Sequence, residues 1–161
     1  MAFYQFYREQ KVNASIEQVW DFISSPRNLK EITPDYMGFD ITSKMLREKM
    51  YPGMIISYKV SPLLGIKTDW VTEITHVKDF EFFVDEQRVG PYSMWHHQHH
   101  IEPIDGGVLM KDIVTYQPPM GFLGAIANSL FIESKLNEIF AYRWIAVEKR
   151  FGKFNEIPVQ K

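Results

Sequence analysis

The order of sequence patterns predicts an α+β domain: a curved antiparallel sheet of seven strands held against one long C-terminal helix, with two short helices after the first strand. Three observations lead there. From Tyr36 to Gln117 the chain is a series of strand-like runs separated by short turn signals, and connections that short require antiparallel neighbours. One strand and two short helical stretches precede the series, and one long helical stretch with a wide aromatic stripe follows it. A lone sheet must bury that helix against one face. A strongly curved sheet cannot fill its hollow with one helix, so a cavity is expected between them.

Each element has a local reason. Phe3–Val12 alternates aromatic and polar residues, the period of a strand. Ser15 supplies a cap for a helix whose apolar stripe is Ile16, Val19, Trp20 and Ile23. Pro26 opens a second short helix at a position where its missing N–H costs nothing, and Pro34 closes it. The following runs are Phe39–Glu48, Met54–Ser61, Ile66–Val77, Phe80–Arg88, Met94–Glu102 and Val108–Gln117. Turn signals between them include Tyr51-Pro52-Gly53, Lys78-Asp79, Gly90-Pro91 and Asp105-Gly106-Gly107. Pro118-Pro119 ends the last strand. A helical stretch then runs to Phe151 and stops at Gly152, with Leu136, Phe140, Arg143, Trp144, Val147 and Phe151 at helical spacing. The segment from Met120 to Ile126, apolar with two glycines, would weaken a regular helix and is expected as a frayed, buried first turn. Residues 1–152 are expected to form a single domain and 153–161 a flexible tail.

Bulk properties narrow the function. The 161 residues are 45% hydrophobic and 15% aromatic, with 12 Phe, 8 Tyr and 4 Trp. That length supports a core without staples, and the aromatics suit both pleated surfaces and apolar pockets. A net charge of −2 provides no basic field for phosphates, so nucleic acid is not an expected partner. With no cysteine there is neither thiolate catalysis nor cysteine-ligated zinc, which fits a cytoplasmic location. The first residues, MAFYQFYREQK, do not have the pattern of a signal peptide, and no stretch has the length of a membrane span.

The most informative chemistry lies between Met94 and Gln117. A two-residue turn at Asp105-Gly106, or a four-residue loop from Ile104 to Gly107, sets Pro103 opposite Val108, and therefore Ile101 opposite Met110, His99 opposite Asp112, His97 opposite Val114 and Trp95 opposite Tyr116; a three-residue loop with a bulge would break this pairing. This set is the more apolar and aromatic, and is assigned to the cavity side. The other face carries His96, Gln98, His100 and Lys111. Inside an apolar hollow Asp112 would fix the tautomer of His99 and raise its pKa. The pair is then a polar anchor for a ligand's carbonyl, hydroxyl or carboxylate, a general acid/base, or an internal polar pair that only specifies the sheet. His97 and His99, two apart on one strand, could also reach a common metal ion with Asp112 as third ligand. Trp70, Thr72, Ile74 and His76 alternate onto one strand face, and Trp70 is expected in the cavity wall or as plain core. On the strand near Asp85, alternation separates Phe83, Asp85 and Gln87 from Phe82, Val84 and Glu86 without deciding which face is inside. Arg143 on the last helix could meet a buried carboxylate such as Asp85 or Glu133, or extend to solvent.

Three segments bear a family resemblance: Ala14-Ser15-Ile16-Glu17-Gln18-Val19-Trp20 with Ser24-Ser25-Pro26-Arg27-Asn28-Leu29; Phe83 to Tyr92 running into Trp95-His96-His97-Gln98-His99; and Asp112-Ile113-Val114-Thr115-Tyr116 with the helix carrying Phe140-Ala141-Tyr142-Arg143. Together they resemble the helix-grip superfamily (START, Bet v 1-like or SRPBCC), and within it a bacterial polyketide cyclase/dehydrase-like subgroup. The resemblance covers nearly the whole chain. It implies the helix-grip fold and a small hydrophobic ligand, such as a lipid, isoprenoid or polyketide-like ring, with no cofactor and no metal. It also favours Asp85 and Gln87 as polar groups on the cavity side, and it places Met120–Ile126 near a cavity entrance, where it could act as a gate. The expected ligand-contacting residues are therefore Trp70, Asp85, Gln87, Trp95, His97, His99, Asp112 and Tyr116. A cyclase, dehydratase or isomerase using His99 and Asp112 as acid/base pair is the alternative, and a partner-binding module of the chaperone-activator type a third. No phosphate-cradling glycine loop, GxSxG elbow or HExxH motif is present.

Overall fold

A computed structural model describes residues 3–44, 46–61, 65–119 and 131–155. The architecture is the helix-grip fold. Seven strands form one antiparallel sheet: β1 (Tyr4–Val12), β2 (Asp40–Ile41), β3 (Met54–Val60), β4 (Thr68–Lys78), β5 (Phe82–Val89), β6 (Met94–Ile104) and β7 (Gly107–Gln117). Their spatial order is β1-β7-β6-β5-β4-β3-β2, so the first strand closes onto the last and β2 forms the far edge. Helix α1 (Ile16–Ile23) and 3-10 turns at Pro26–Ile32 and Asp35–Met37 link β1 to β2, and α2 (Glu133–Phe151) lies on the concave face.

Helix α1 begins where the Ser15 side chain accepts from the Gln18 amide and the Gln18 side chain accepts from the Ser15 amide, a reciprocal cap. Its buried face, Val19, Trp20, Phe22 and Ile23, packs with Met54, Ile56, Ile74 and Val108. Each such side chain, fully buried, contributes about 1.5–3 kcal/mol. Helix α2 buries Leu136, Phe140, Arg143 and Val147, and ends at Gly152, whose φ of 85° and N–H bond to the Glu148 carbonyl close the last turn. A second cluster gathers Phe6, Met37, Val60, Trp70, Tyr92 and Phe140 towards the other end of the sheet.

The β6–β7 hairpin has the expected register: Pro103 with Val108, Ile101 with Met110, His99 with Asp112, His97 with Val114 and Trp95 with Tyr116. Gly106 takes the turn at φ 80°.

Four local expectations differ from the structure. The strand expected over Phe39–Glu48 contracts to Asp40–Ile41. The Ser57 amide donates to the Ser43 hydroxyl at 2.6 Å, while the Thr42 and Ser43 amides both turn to the Ser57 carbonyl, so a side chain replaces the ladder there. The second short helix is a 3-10 helix. His76 leaves the face of Trp70, Thr72 and Ile74, because the β4–β5 register shifts between Ile74 and His76 and turns Val77 towards the core. Trp144 is 37% exposed instead of joining the inner stripe of α2. The expected gate at Met120–Ile126 lies outside the described residues, as does most of the expected tail.

Candidate functional site: a buried histidine–carboxylate cluster on an apolar cavity

Between the sheet and α2 lies a cavity of about 160 Å³. Its wall is mostly apolar: Met37, Ile56, Val60 and Leu136 among the aliphatic residues, with Tyr58, Trp70, Tyr92, Trp95 and Phe140 as aromatic panels. The aromatic side is interlocked. Trp70 stands edge-on to Trp95 at 5.5 Å and to Tyr92 at 5.8 Å, and stacks with Tyr58 at 6.1 Å. The Tyr58 hydroxyl and the Trp70 indole N–H both meet the Thr72 hydroxyl, at 3.0 and 3.1 Å, so the buried polar tips of this wall are satisfied.

At one end the wall turns charged. Period-two alternation brings His97 and His99 from β6 to the same face, with ring centroids 3.6 Å apart. Phe83 from β5 stacks on His99 at 4.1 Å, and Phe140 from α2 stands edge-on to His97 at 5.7 Å. The two imidazoles thus sit at the seam between the two apolar clusters. Their edges meet one carboxylate on each side. On one side is Asp85 from β5, whose Oδ2 lies 2.7 Å from His99 Nε2 and 3.6 Å from His97 Nδ1. On the other side is Asp112 from β7, whose Oδ1 lies 2.9 Å from His97 Nε2 and 3.2 Å from His99 Nδ1. Arg143 from α2 reaches the same Asp112 oxygen with Nη1 at 3.1 Å.

The protonation pattern follows from this geometry. Burial disfavours a charged His99, but its contacts to Asp112 and Asp85 outweigh burial and raise its pKa. His97 moves the other way, to about 4, through burial and the neighbouring His99 charge, and it remains neutral at pH 7. Burial also opposes ionisation of Asp112, yet Arg143 and the two imidazoles hold its carboxyl well below the usual range. Asp85 is shifted down despite burial, chiefly by its hydrogen bond from His99. Asp85 and Asp112 therefore face Arg143 and a His99 whose raised pKa favours its protonated form, and this offsets part of the cost of burying the carboxylates. A proton on His99 Nδ1 makes the 3.4 Å approach of Arg143 Nη2 a donor facing a donor; Arg143 can donate there only when that nitrogen is bare. The buried Nε–H of Arg143 has no hydrogen-bond partner among the described residues.

Of the eight residues expected to contact ligand, Trp70, Asp85, Trp95, His97 and His99 line the cavity, whereas Asp112 stands behind the imidazoles and off the wall. Gln87 is also off the wall; its amide clamps the next turn, donating to the Tyr92 carbonyl at 2.7 Å and accepting from the Tyr92 amide at 3.2 Å. Tyr116 packs against Tyr4, Tyr92 and Trp95 without lining the cavity. Sequence reasoning left out Tyr58, Tyr92 and the pairing of Arg143 with Asp112. The signal for the last was an arginine set among apolar residues on the inner stripe of α2. His96 and His100, on the opposite face, are half-buried, with Glu86 and Gln98 as partners.

Comparisons agree with this architecture. The sequence pattern of the family described as "Polyketide cyclase / dehydrase and lipid transport" matches residues 12–138. Among solved structures, protein CV1439 from Chromobacterium violaceum has 13% identity and a TM-score of 0.68, covering 92% of this chain and 97% of its own. TTHA0849 from Thermus thermophilus gives 14% and 0.66, with coverage of 92% and 97%. Ginseng major latex-like protein 151 from Panax ginseng gives 9% and 0.65 with the same coverage. At such identities the likeness is one of fold. No curated protein matches the sequence.

Proposed function

Because the chain belongs to the polyketide cyclase/dehydrase and lipid-transport family, we propose that it binds a small hydrophobic molecule in the cavity beneath α2, with the molecule's polar end turned towards the histidine–carboxylate cluster. Family and fold are of the ligand-binding kind. The observation that carries the reading is the cavity's division into an apolar, aromatic wall and one charged end. Apolar walls with a few convergent polar groups are how ligand pockets combine affinity with orientation.

Two features refine the ligand. An apolar cavity of about 150 Å³ holds a benzene-sized molecule, so a cavity of about 160 Å³ suits a single ring or a short branched chain. Arg143, on the cavity wall, keeps an unpartnered Nε–H, which favours a ligand bearing an acceptor oxygen. Acid/base chemistry at His99 has less support, since both of its ring nitrogens are engaged by carboxylates. The partner-binding reading expects side chains to fill the hollow, and that expectation does not match a cavity of this size.

The test is a titration of the full chain with alkylphenols and short fatty acids, followed by tryptophan fluorescence. Trp70 and Trp95 border the cavity, so saturable quenching is expected. Substituting Trp70→Phe and Trp95→Phe together should remove most of that signal while calorimetry still registers binding. Quenching that survives the double substitution would place the probe elsewhere and contradict the proposal.

A further inference from the structure

We propose that Asp85, His97 and His99 form a binding site for one divalent first-row transition-metal ion, of the zinc(II) or iron(II) type, at the polar end of the cavity. This departs from the expectation that no metal is involved, and it does not depend on the hydrophobic-ligand reading.

The geometry of donors carries it. Asp85, His97 and His99 each offer one ligand atom, and the three atoms lie within 4.8 Å of one another. Asp85 Oδ2 is 2.7 Å from His99 Nε2 and 3.6 Å from His97 Nδ1. Donors bound to a common ion at about 2.1 Å sit about 3.0–3.4 Å apart, so movements of a few tenths of an ångström to about 1 Å bring all three into range. All three residues line the cavity, so the remaining coordination positions face a space that water or a ligand oxygen can enter. Two imidazoles and one carboxylate with open positions is a donor set that suits such ions.

The second observation lies behind the rings. The nitrogens not offered to the ion, His97 Nε2 and His99 Nδ1, both meet Asp112 Oδ1, at 2.9 and 3.2 Å. A carboxylate accepting from the far nitrogen of a histidine fixes the tautomer and turns the other lone pair to the metal. Here one carboxylate does so for both once the incoming ion displaces the Nε2 proton of His99 to solvent, and Arg143 Nη1 at 3.1 Å holds it in place. The same contact excludes the arrangement with Asp112 as ligand, because a cation there would face the guanidinium and Asp112 is off the cavity wall.

The chemistry also explains an otherwise poor contact. At 3.6 Å, His97 Nδ1 is too far from Asp85 Oδ2 for a hydrogen bond. With the His97 proton on Nε2, the contact sets a lone pair against a carboxylate oxygen; a cation between them makes both productive.

Calorimetric titration of chelator-treated full chain with zinc chloride tests the site. One equivalent is expected, with affinity reduced more than about 100-fold in Asp85→Asn and about 10- to 100-fold in Asp112→Asn. His96→Ala, altering a histidine on the opposite sheet face, should bind as the unaltered chain does. If the buried variants do not fold, a zinc-soaked crystal of the unaltered chain decides. Its anomalous peak is expected about 2.0–2.2 Å from Asp85 Oδ2, His97 Nδ1 and His99 Nε2. No uptake by the folded chain, affinity unchanged in Asp85→Asn, or a peak at His96 and Glu86 would overturn the site. Because zinc is the only probe, the hydrophobic-ligand reading stands or falls separately.

Discussion

At Asp112 one carboxylate accepts from two imidazoles and a guanidinium in a space almost closed to water. Asp112→Asn leaves Arg143 without its anionic partner, and breaking a buried pair from one side costs about 3–5 kcal/mol. Urea unfolding should register a loss of that size with an unchanged slope. The same cluster sets the pH response of the metal-free chain. His97 has its folded pKa lowered from 6.5 to about 4, so its contribution is complete above 6.5 and is lost as pH falls across that interval. Asp112, held well below 3.8, adds a second loss at more acidic pH. His99 runs the opposite way: raised above 6.5, it stabilises fully below that value and fades as pH climbs through its folded pKa. Stability measured against pH should therefore fall on the acid side in two stages, and His97→Gln should remove the first. Alternation along β6 and β7 was enough to place His97, His99 and Asp112 on one face. It was not enough for Asp85, because both faces of β5 mix aromatic or aliphatic residues with acids. Nor could the partner of Arg143 be identified, since a side chain of that length reaches several strands.

The β6–β7 hairpin was legible at the level of the element because three cues agree: a glycine turn, a face rich in apolar and aromatic residues around His97, His99 and Asp112, and more polar and charged residues on the other face. The short β2 edge was not legible, since its end is set by the Ser43 hydroxyl taking the Ser57 amide, a contact that hydropathy does not encode. Gly107 is a point where the backbone itself sets the residue. A Cβ there would lie 2.1 Å from the Val12 carbonyl oxygen, between the end of β1 and the start of β7. That oxygen belongs to the backbone and cannot swing aside as a side-chain tip would, so Gly107→Ala should cost about 1–3 kcal/mol by overpacking. Gly38→Ala makes the contrast: its φ is 58° with open space around the added carbon, so the penalty is conformational alone, about 1–2 kcal/mol. Thermal unfolding of the two variants separates crowding from strain, because only the first should also weaken amide-exchange protection along β1 and β7.

At the scale of the molecule, the order of elements was legible almost in full, because seven strands and one long helix admit few ways to bury one sheet face. The volume left over was not, since it depends on how far side chains such as Val60, Trp70 and Phe140 extend into the hollow. That space can be removed by design. Val60 is 3% exposed and lines the cavity. Val60→Phe should occupy much of it, leaving a folded chain within about 1–3 kcal/mol of the original and abolishing uptake of ring-sized probes. The most direct measurement of the central claim is native mass spectrometry of the chain purified from its own host, alongside Val60→Phe, each followed by denaturing extraction. A small apolar molecule bearing an oxygen is expected, released on unfolding from the unaltered chain and missing from the variant. The same molecule at equal occupancy in both would contradict binding in the cavity, as would an unaltered chain that emerges empty and takes up no added alkylphenol or fatty acid.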